Sequence, residues 1–156
     1  MSLDDIDFAE RYRQHLQLAS YRPKPAREWD KRALTMDRKP LGGHYADAFI
    51  ARMNLDGARS LLDIGCGPGT LCLSLAPRLE EIYALDYSPA MLALLNDNAE
   101  ALELDNVHPV LCAWEDDWSE VPICDILIAS RSGLVEDLDA ALEKIHRHTR
   151  LRAYMT

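Results

Sequence analysis

The stretch Asp63-Ile-Gly-Cys-Gly-Pro-Gly69 constrains this chain more than any other. It follows the short apolar run Ser60-Leu-Leu-Asp-Ile64. Gly65, Gly67 and Gly69 let the backbone turn sharply and let another group approach with no Cβ in the way. The pattern predicts a strand, a tight turn, and then a helix over 70–79 whose first N–H groups face outward.

The same alternation continues downstream. Residues 82–86 read as a second strand that ends in Asp86. Ser88-Pro89 opens a helix running to 103, because Ser caps well and Pro suits the first helical position. Met91, Leu92, Leu94, Leu95 and Leu102 are its candidate buried side. Strands are expected at 107–112, 124–130 and 151–156, with a helix at 135–148. The continuous Ile126-Leu-Ile-Ala run suits a strand buried on both faces. Between 113 and 122 lies an acidic, Trp-containing connector. Strands alternating with helices imply parallel β-α-β units, and so an α/β, doubly wound, mostly parallel sheet of about five strands. Ligands bind such sheets beyond the C-terminal ends of the strands. The glycine turn, Asp86, the connector and Ser130 all fall on that edge.

The N-terminal part reads differently. Residues 3–18 form an amphipathic pattern with Ile6, Tyr12, Leu16 and Leu18 apolar among charges. Tyr21-Arg-Pro-Lys-Pro25 breaks it, since each Pro disfavours a helical residue before it. Helices are expected over 26–36 and 44–53, with a loop at Pro40-Leu-Gly-Gly43 between them. Residues 1–43 are thus expected to form a helical lid and 44–156 the ligand-binding domain. Trp29, Asp30, Arg32, His44 and Tyr45 are the lid-side candidates.

Spacing separates two ligand readings. Dinucleotide folds use G-x-G-x-x-G and seat a pyrophosphate on the helix N-terminus. Here the spacing is G-x-G-x-G, and Asp63 stands two residues before the first glycine. An anion there opposes a pyrophosphate and suits a zwitterionic amino acid or a sulfonium.

The stretch Asp63–Gly69, followed by a second strand ending in an acid, resembles the first motifs of class I S-adenosylmethionine-dependent methyltransferases, over about residues 44–156. The resemblance implies a Rossmann-like fold and S-adenosyl-L-methionine as cofactor. It implies that Asp63 positions the methionine end, with Gly65, Cys66, Gly67 and Gly69 lining the cofactor. It implies that Asp86 takes both ribose hydroxyls, with Tyr87 beside the adenine. The family's third position carries an acid that meets the adenine amino group; here that position is Ala113. The backbone of Ala113 and Trp114, or the carboxylate of Glu115, are the candidate substitutes. Ser130, Arg131 and Ser132 follow the fourth strand, where family members place catalytic or substrate groups. The Asn/Asp-Pro-Pro-Tyr/Phe signature of some amino-nitrogen methylases is missing there. No catalytic residue is assigned.

Charge and cysteines bound the partners. The 156 residues carry a formal net charge of -9. Beyond residue 60 the chain is strongly acidic, which disfavours a phosphate backbone. The expected acceptor is therefore a small molecule and not nucleic acid. The four cysteines form no C-x-x-C pair, so no metal is expected. Free thiols suit a reducing cytoplasm. No apolar run approaches the ~18 residues of a membrane helix. The family's usual seven strands exceed the five seen here. The fifth strand's free edge is thus expected to be covered by a partner chain, as in a homodimer, or by the N-terminal helices. A non-catalytic cofactor-binding module is the alternative to an enzyme, and a nicotinamide oxidoreductase is disfavoured by the glycine spacing.

Overall fold

The computed structural model describes residues 5–36 and 42–156. The outer positions of the first expected helix, and Pro40 and Leu41 of the expected loop, lie outside the described residues. Five strands form one sheet in the order β3-β2-β1-β4-β5: β1 (Ser60–Ile64), β2 (Glu81–Asp86), β3 (Val107–Leu111), β4 (Cys124–Ala129) and β5 (Thr149–Met155). All four pairings are parallel. The fold class read from the sequence therefore stands.

Strand alternation splits the core in two. Leu61, Ile82, Ala84, Ile126 and Ile128 face one layer, with Leu73, Leu92 and Leu95. These last belong to α4 (Cys72–Leu75) and α5 (Pro89–Ala101). Ala46 of α3 (His44–Ile50) joins the same layer. Leu62, Ile64, Leu85, Leu127 and Ala129 face the other, against Trp118 and Ile145. Ile145 belongs to α6 (Leu138–His148). Helices on both faces explain why the inner strands β1 and β4 are largely apolar and buried on both sides. Leu95 is fully buried. Such burial is worth about 1.5–3 kcal/mol relative to exposure.

Several boundaries differ from the sequence expectation. The helix over 70–79 shrinks to α4 and a 3-10 turn, Ala76–Arg78, because Pro77 has no N–H to continue an α-helical ladder. α6 starts at Leu138, where the Asp137 carboxylate accepts the Ala140 amide. Leu102 is exposed, and Ala99 takes the buried place one turn after Leu95. α3 ends at Ile50.

The N-terminal helices α1 (Phe8–Leu18) and α2 (Ala26–Thr35) lie outside the two core layers. Asp7 caps α1 by accepting the Glu10 amide. α1 packs on α6 and α2 on α5. Neither packs mainly on β5, and Phe8, Leu18 and Leu34 on them are exposed. Among the described residues, no strand pairs with the outer side of β5. The segment after α3 meets β5 through side chains instead: the Tyr154 hydroxyl accepts the Asn54 amide at 2.8 Å, and Arg152 donates to the Asp56 carbonyl at 2.9 Å. No helix among the described residues is long and apolar enough to cross a membrane.

Candidate functional site

β1 and β2 end side by side at the C-terminal edge, in register Ile64 to Leu85. Asp63 is 3% exposed. Burial pushes its carboxyl up to about 7, while the Cys72 amide and thiol pull the other way. Past Ile64 all three loop glycines have positive φ, and each meets different surroundings. A Cβ on Gly65 would sit 2.4 Å from the Ser132 Cβ. A Cβ on Gly69 would sit 2.6 Å from Leu73 and Leu95, so Gly69 serves helix packing. Gly67 has nothing within 4 Å of that position. That face is open beside two buried carboxylates.

Asp86 ties the loop to the next helix. Its Oδ2 accepts the Gly67 amide at 2.9 Å and its Oδ1 the Ser88 amide at 2.9 Å. Burial raises its pKa, and the Ser88 and Gly67 amides oppose the shift. A carboxylate offers about four lone-pair directions. Both oxygens accept, from the Gly67 and Ser88 amides, and the Tyr87 amide also bears on the carboxylate. The Cys66 amide donates to the Leu85 carbonyl, and burial holds its thiol well above the ordinary range. Cys66 therefore lines the loop as a neutral, inert thiol.

At the connector, backbone groups of Ala113 and Trp114 find partners within the chain. The Ala113 amide donates to Asp116 at 2.8 Å, and its carbonyl accepts the Trp118 indole at 2.8 Å. Those backbone groups thus brace the connector. The Trp114 carbonyl likewise accepts Lys144, and its indole donates to the Ser132 carbonyl at 2.7 Å. Trp114 stacks on Trp118 with centroids 5.3 Å apart, which favours a packing role. Glu115 is exposed; burial chiefly raises the pKa of Tyr21 and Tyr87, and the Glu115 charge adds a smaller push to both, at Tyr87 after that of Asp86.

The N-terminal segment lies across this edge. Tyr12 and Tyr21 donate to the Val135 and Leu134 carbonyls at 2.6 and 2.7 Å, past β4. At the other end Tyr87 donates to the Lys24 carbonyl at 2.8 Å. Asp30 accepts the Ser88 hydroxyl at 2.6 Å and the Ala90 amide at 3.2 Å. Trp29 is flanked by Lys24 and Arg32 at 5.3 and 5.6 Å from its ring centre. Sequence reading singled out Trp29 and Asp30 but gave Tyr12 only an apolar helix place and Tyr21 none. Their partners lie more than 110 residues away, and no local pattern signals such bonds.

Past β4, Ser130 shares a 2.6 Å hydrogen bond with the Tyr45 hydroxyl. Ser132 donates to the Ile64 carbonyl at 2.6 Å, which seats it against Gly65. Arg131 has φ +56° and sets its guanidinium 3.8 Å over the Tyr45 ring. His44 is exposed at the start of α3 and meets none of these groups.

Comparison with known proteins agrees with this geometry. A family model described as a methyltransferase domain matches residues 61–151. An uncharacterized Haemophilus influenzae protein is 38% identical over 158 residues, covering 100% of this chain and 59% of that protein. A trans-aconitate 2-methyltransferase from Mycobacterium sp. (strain KMS) is 31% identical over 104 residues, covering 65% of this chain and 37% of that protein. The solved precorrin 8w decarboxylase of Methanobacterium thermoautotrophicum superposes with a TM-score of 0.62 at 24% identity, covering 75% of this chain and 63% of that one. That last likeness is one of fold. The chain thus spans less than two thirds of the length of these proteins.

Proposed function

The chain belongs to the methyltransferase domain family, and on that premise we propose that it binds S-adenosyl-L-methionine and passes the methyl group to a small-molecule acceptor. The observation that carries the reading is Asp86: a buried carboxylate at a strand tip, an acceptor through both oxygens, beside the open face of Gly67. A ribose diol matches two such acceptors in one bidentate contact.

The sulfonium supplies an already activated methyl group, which in-line displacement moves to a nucleophile as the C–S bond breaks. What the chain adds is position. Asp63 offers its carboxylate to the cationic end, the three glycines keep the backbone close, and Glu115 stands at the adenine side near Tyr87. The N-terminal segment covers the edge and limits water there. The small-molecule reading rests on charge: residues past 60 are strongly acidic, and one relative acts on trans-aconitate. Four unpaired cysteines favour a reducing compartment, which we take to be the cytoplasm. We also propose that a second chain, in a homodimer or a larger complex, covers the free edge of β5. The short coverage of the relatives favours a second reading, a cofactor-binding unit with no acceptor site of its own.

Calorimetric titration with S-adenosylhomocysteine, and separately with NAD, tests the donor reading. Saturable binding of the first and none of the second supports it. The reverse result returns the chain to nicotinamide chemistry.

A further inference from the structure

The β4–β5 side of the edge carries an arrangement that donor binding leaves unused. Arg131 is a bulky residue in the left-handed region, at φ +56°. Such a conformation costs about 1–3 kcal/mol and persists only where the surroundings impose it. Here its amide faces the Thr156 carbonyl at 3.2 Å and the Thr156 hydroxyl at 3.3 Å. The result is an exposed guanidinium lying 3.8 Å over the Tyr45 ring.

That guanidinium has no acid. In this acidic chain other arginines find theirs: Arg59 with Glu80 at 2.6 Å, Arg147 with Glu143 at 2.7 Å, Arg150 with Asp125 at 3.6 Å. Among the described residues no carboxylate pairs with Arg131. A planar guanidinium stacked on an aromatic ring keeps the N–H donors of its rim available in a fixed fork. Its place is next to the donor loop, because the following residue, Ser132, packs on Gly65. The Arg131 side chain also hydrogen-bonds the Tyr45 hydroxyl, so ring and hydroxyl together seat a guanidinium whose charge no carboxylate among the described residues meets.

We propose that Arg131, seated on Tyr45, anchors a carboxylate group of the methyl acceptor. The claim rests on the donor reading above and adds the acceptor's chemical class. One bidentate fork matches one carboxylate. A phosphate dianion calls for further donors, and the nearby hydroxyls of Ser130, Tyr45 and Thr156 are already paired with one another. Tyr45 is a positioning residue: its ring holds the guanidinium, and its hydroxyl ties α3 to the ends of β4 and β5.

The test uses the chain saturated with S-adenosylhomocysteine, with succinate, citrate and trans-aconitate as probes and their methyl esters as uncharged controls. Calorimetry is expected to show saturable binding of at least one acid and none of its ester. Arg131→Gln is expected to weaken that binding by about tenfold or more, the loss of one charge-assisted pair, with Arg131→Lys intermediate. Tyr45→Phe keeps the ring and is expected to retain binding, whereas Tyr45→Leu loses it. S-adenosylhomocysteine affinity is expected to stay within about twofold in every variant, a difference below half a kcal/mol. Binding of no acid, or equal binding by wild type and Arg131→Gln, overturns the anchor while the donor reading stands. Failure of S-adenosylhomocysteine itself to bind removes the donor reading and the anchor with it.

Discussion

At the β1–β2 half of the edge, the Asp86 carboxylate takes the Gly67 and Ser88 amides and is 6% exposed. At the β4–β5 half, Arg131 is exposed and rests on a ring from another element. The first half is backbone, glycine and buried acid, and each part also holds the fold together. The second is side chains on a strained turn, and little of the core depends on it. The difference separates a fixed donor cradle, where a substitution damages both folding and binding, from an acceptor side where binding can change alone.

The sharpest way to break that comparison is Gly69→Val. Its Cβ would meet Leu73 and Leu95 at 2.6 Å with φ at +91°. Overpacking and backbone strain together are expected to cost about 3 kcal/mol or more, read as a fall in urea midpoint. Ser130→Ala, across the edge, is expected to cost about 1 kcal/mol for its hydroxyl contacts with Tyr45 and Thr156. Equal costs would remove the distinction.

Asp86→Ala is next. It strands two amides and is expected to cost about 2–3 kcal/mol. S-adenosylhomocysteine affinity is expected to fall by about tenfold or more, the value of one charge-assisted contact. A stable variant with unchanged affinity would place the ribose elsewhere.

Asp63 sharpens the comparison through pH. Burial lifts its folded pKa to about 7, above the ordinary carboxylate value of 3.8. The folded state therefore binds the extra proton between those values, and stability falls as pH rises through that window. Asp63→Asn is expected to melt higher than wild type at pH 8 and to lose that advantage near pH 4, read by thermal unfolding. A cationic ligand prefers the ionised form, so wild-type affinity for S-adenosylmethionine is expected to rise from pH 6 to 8 and the variant's to stay flat. A variant that follows the wild-type pH dependence would mean another group is responsible.

The smallest effect is expected at the exposed arginine. Arg131→Gln is expected to shift stability by no more than about 0.5 kcal/mol, as for ordinary surface changes, measured by the same unfolding assay. A loss comparable to that of Asp86→Ala would show that the acceptor half also supports the fold.

Much of this architecture is legible in the residues. β1 and β2 are largely apolar runs that end at glycine or acid, and Asp63, Gly67 and Asp86 carry their spacing openly. The shortened α4 was also legible in retrospect, from Pro77. Leu102 was read on the buried side because periodicity does not say where a helix ends. Ala113 shows a deeper limit: its amide and carbonyl are claimed by Asp116 and by Trp118, and a linear pattern does not reveal which backbone groups are spoken for. The Tyr12 and Tyr21 bonds, and the stacking of Arg131 on Tyr45, join segments more than 80 residues apart. They follow from the assembled sheet and not from any local signal.

The central claim is that the cradle at the ends of β1 and β2 holds the methyl donor through Asp86. A crystal structure of the chain grown with S-adenosylhomocysteine tests it most directly. The account predicts both ribose hydroxyls within hydrogen-bond distance of the Asp86 oxygens, with the ligand against the open face of Gly67. A ligand bound elsewhere, or one whose ribose does not touch Asp86, would contradict it.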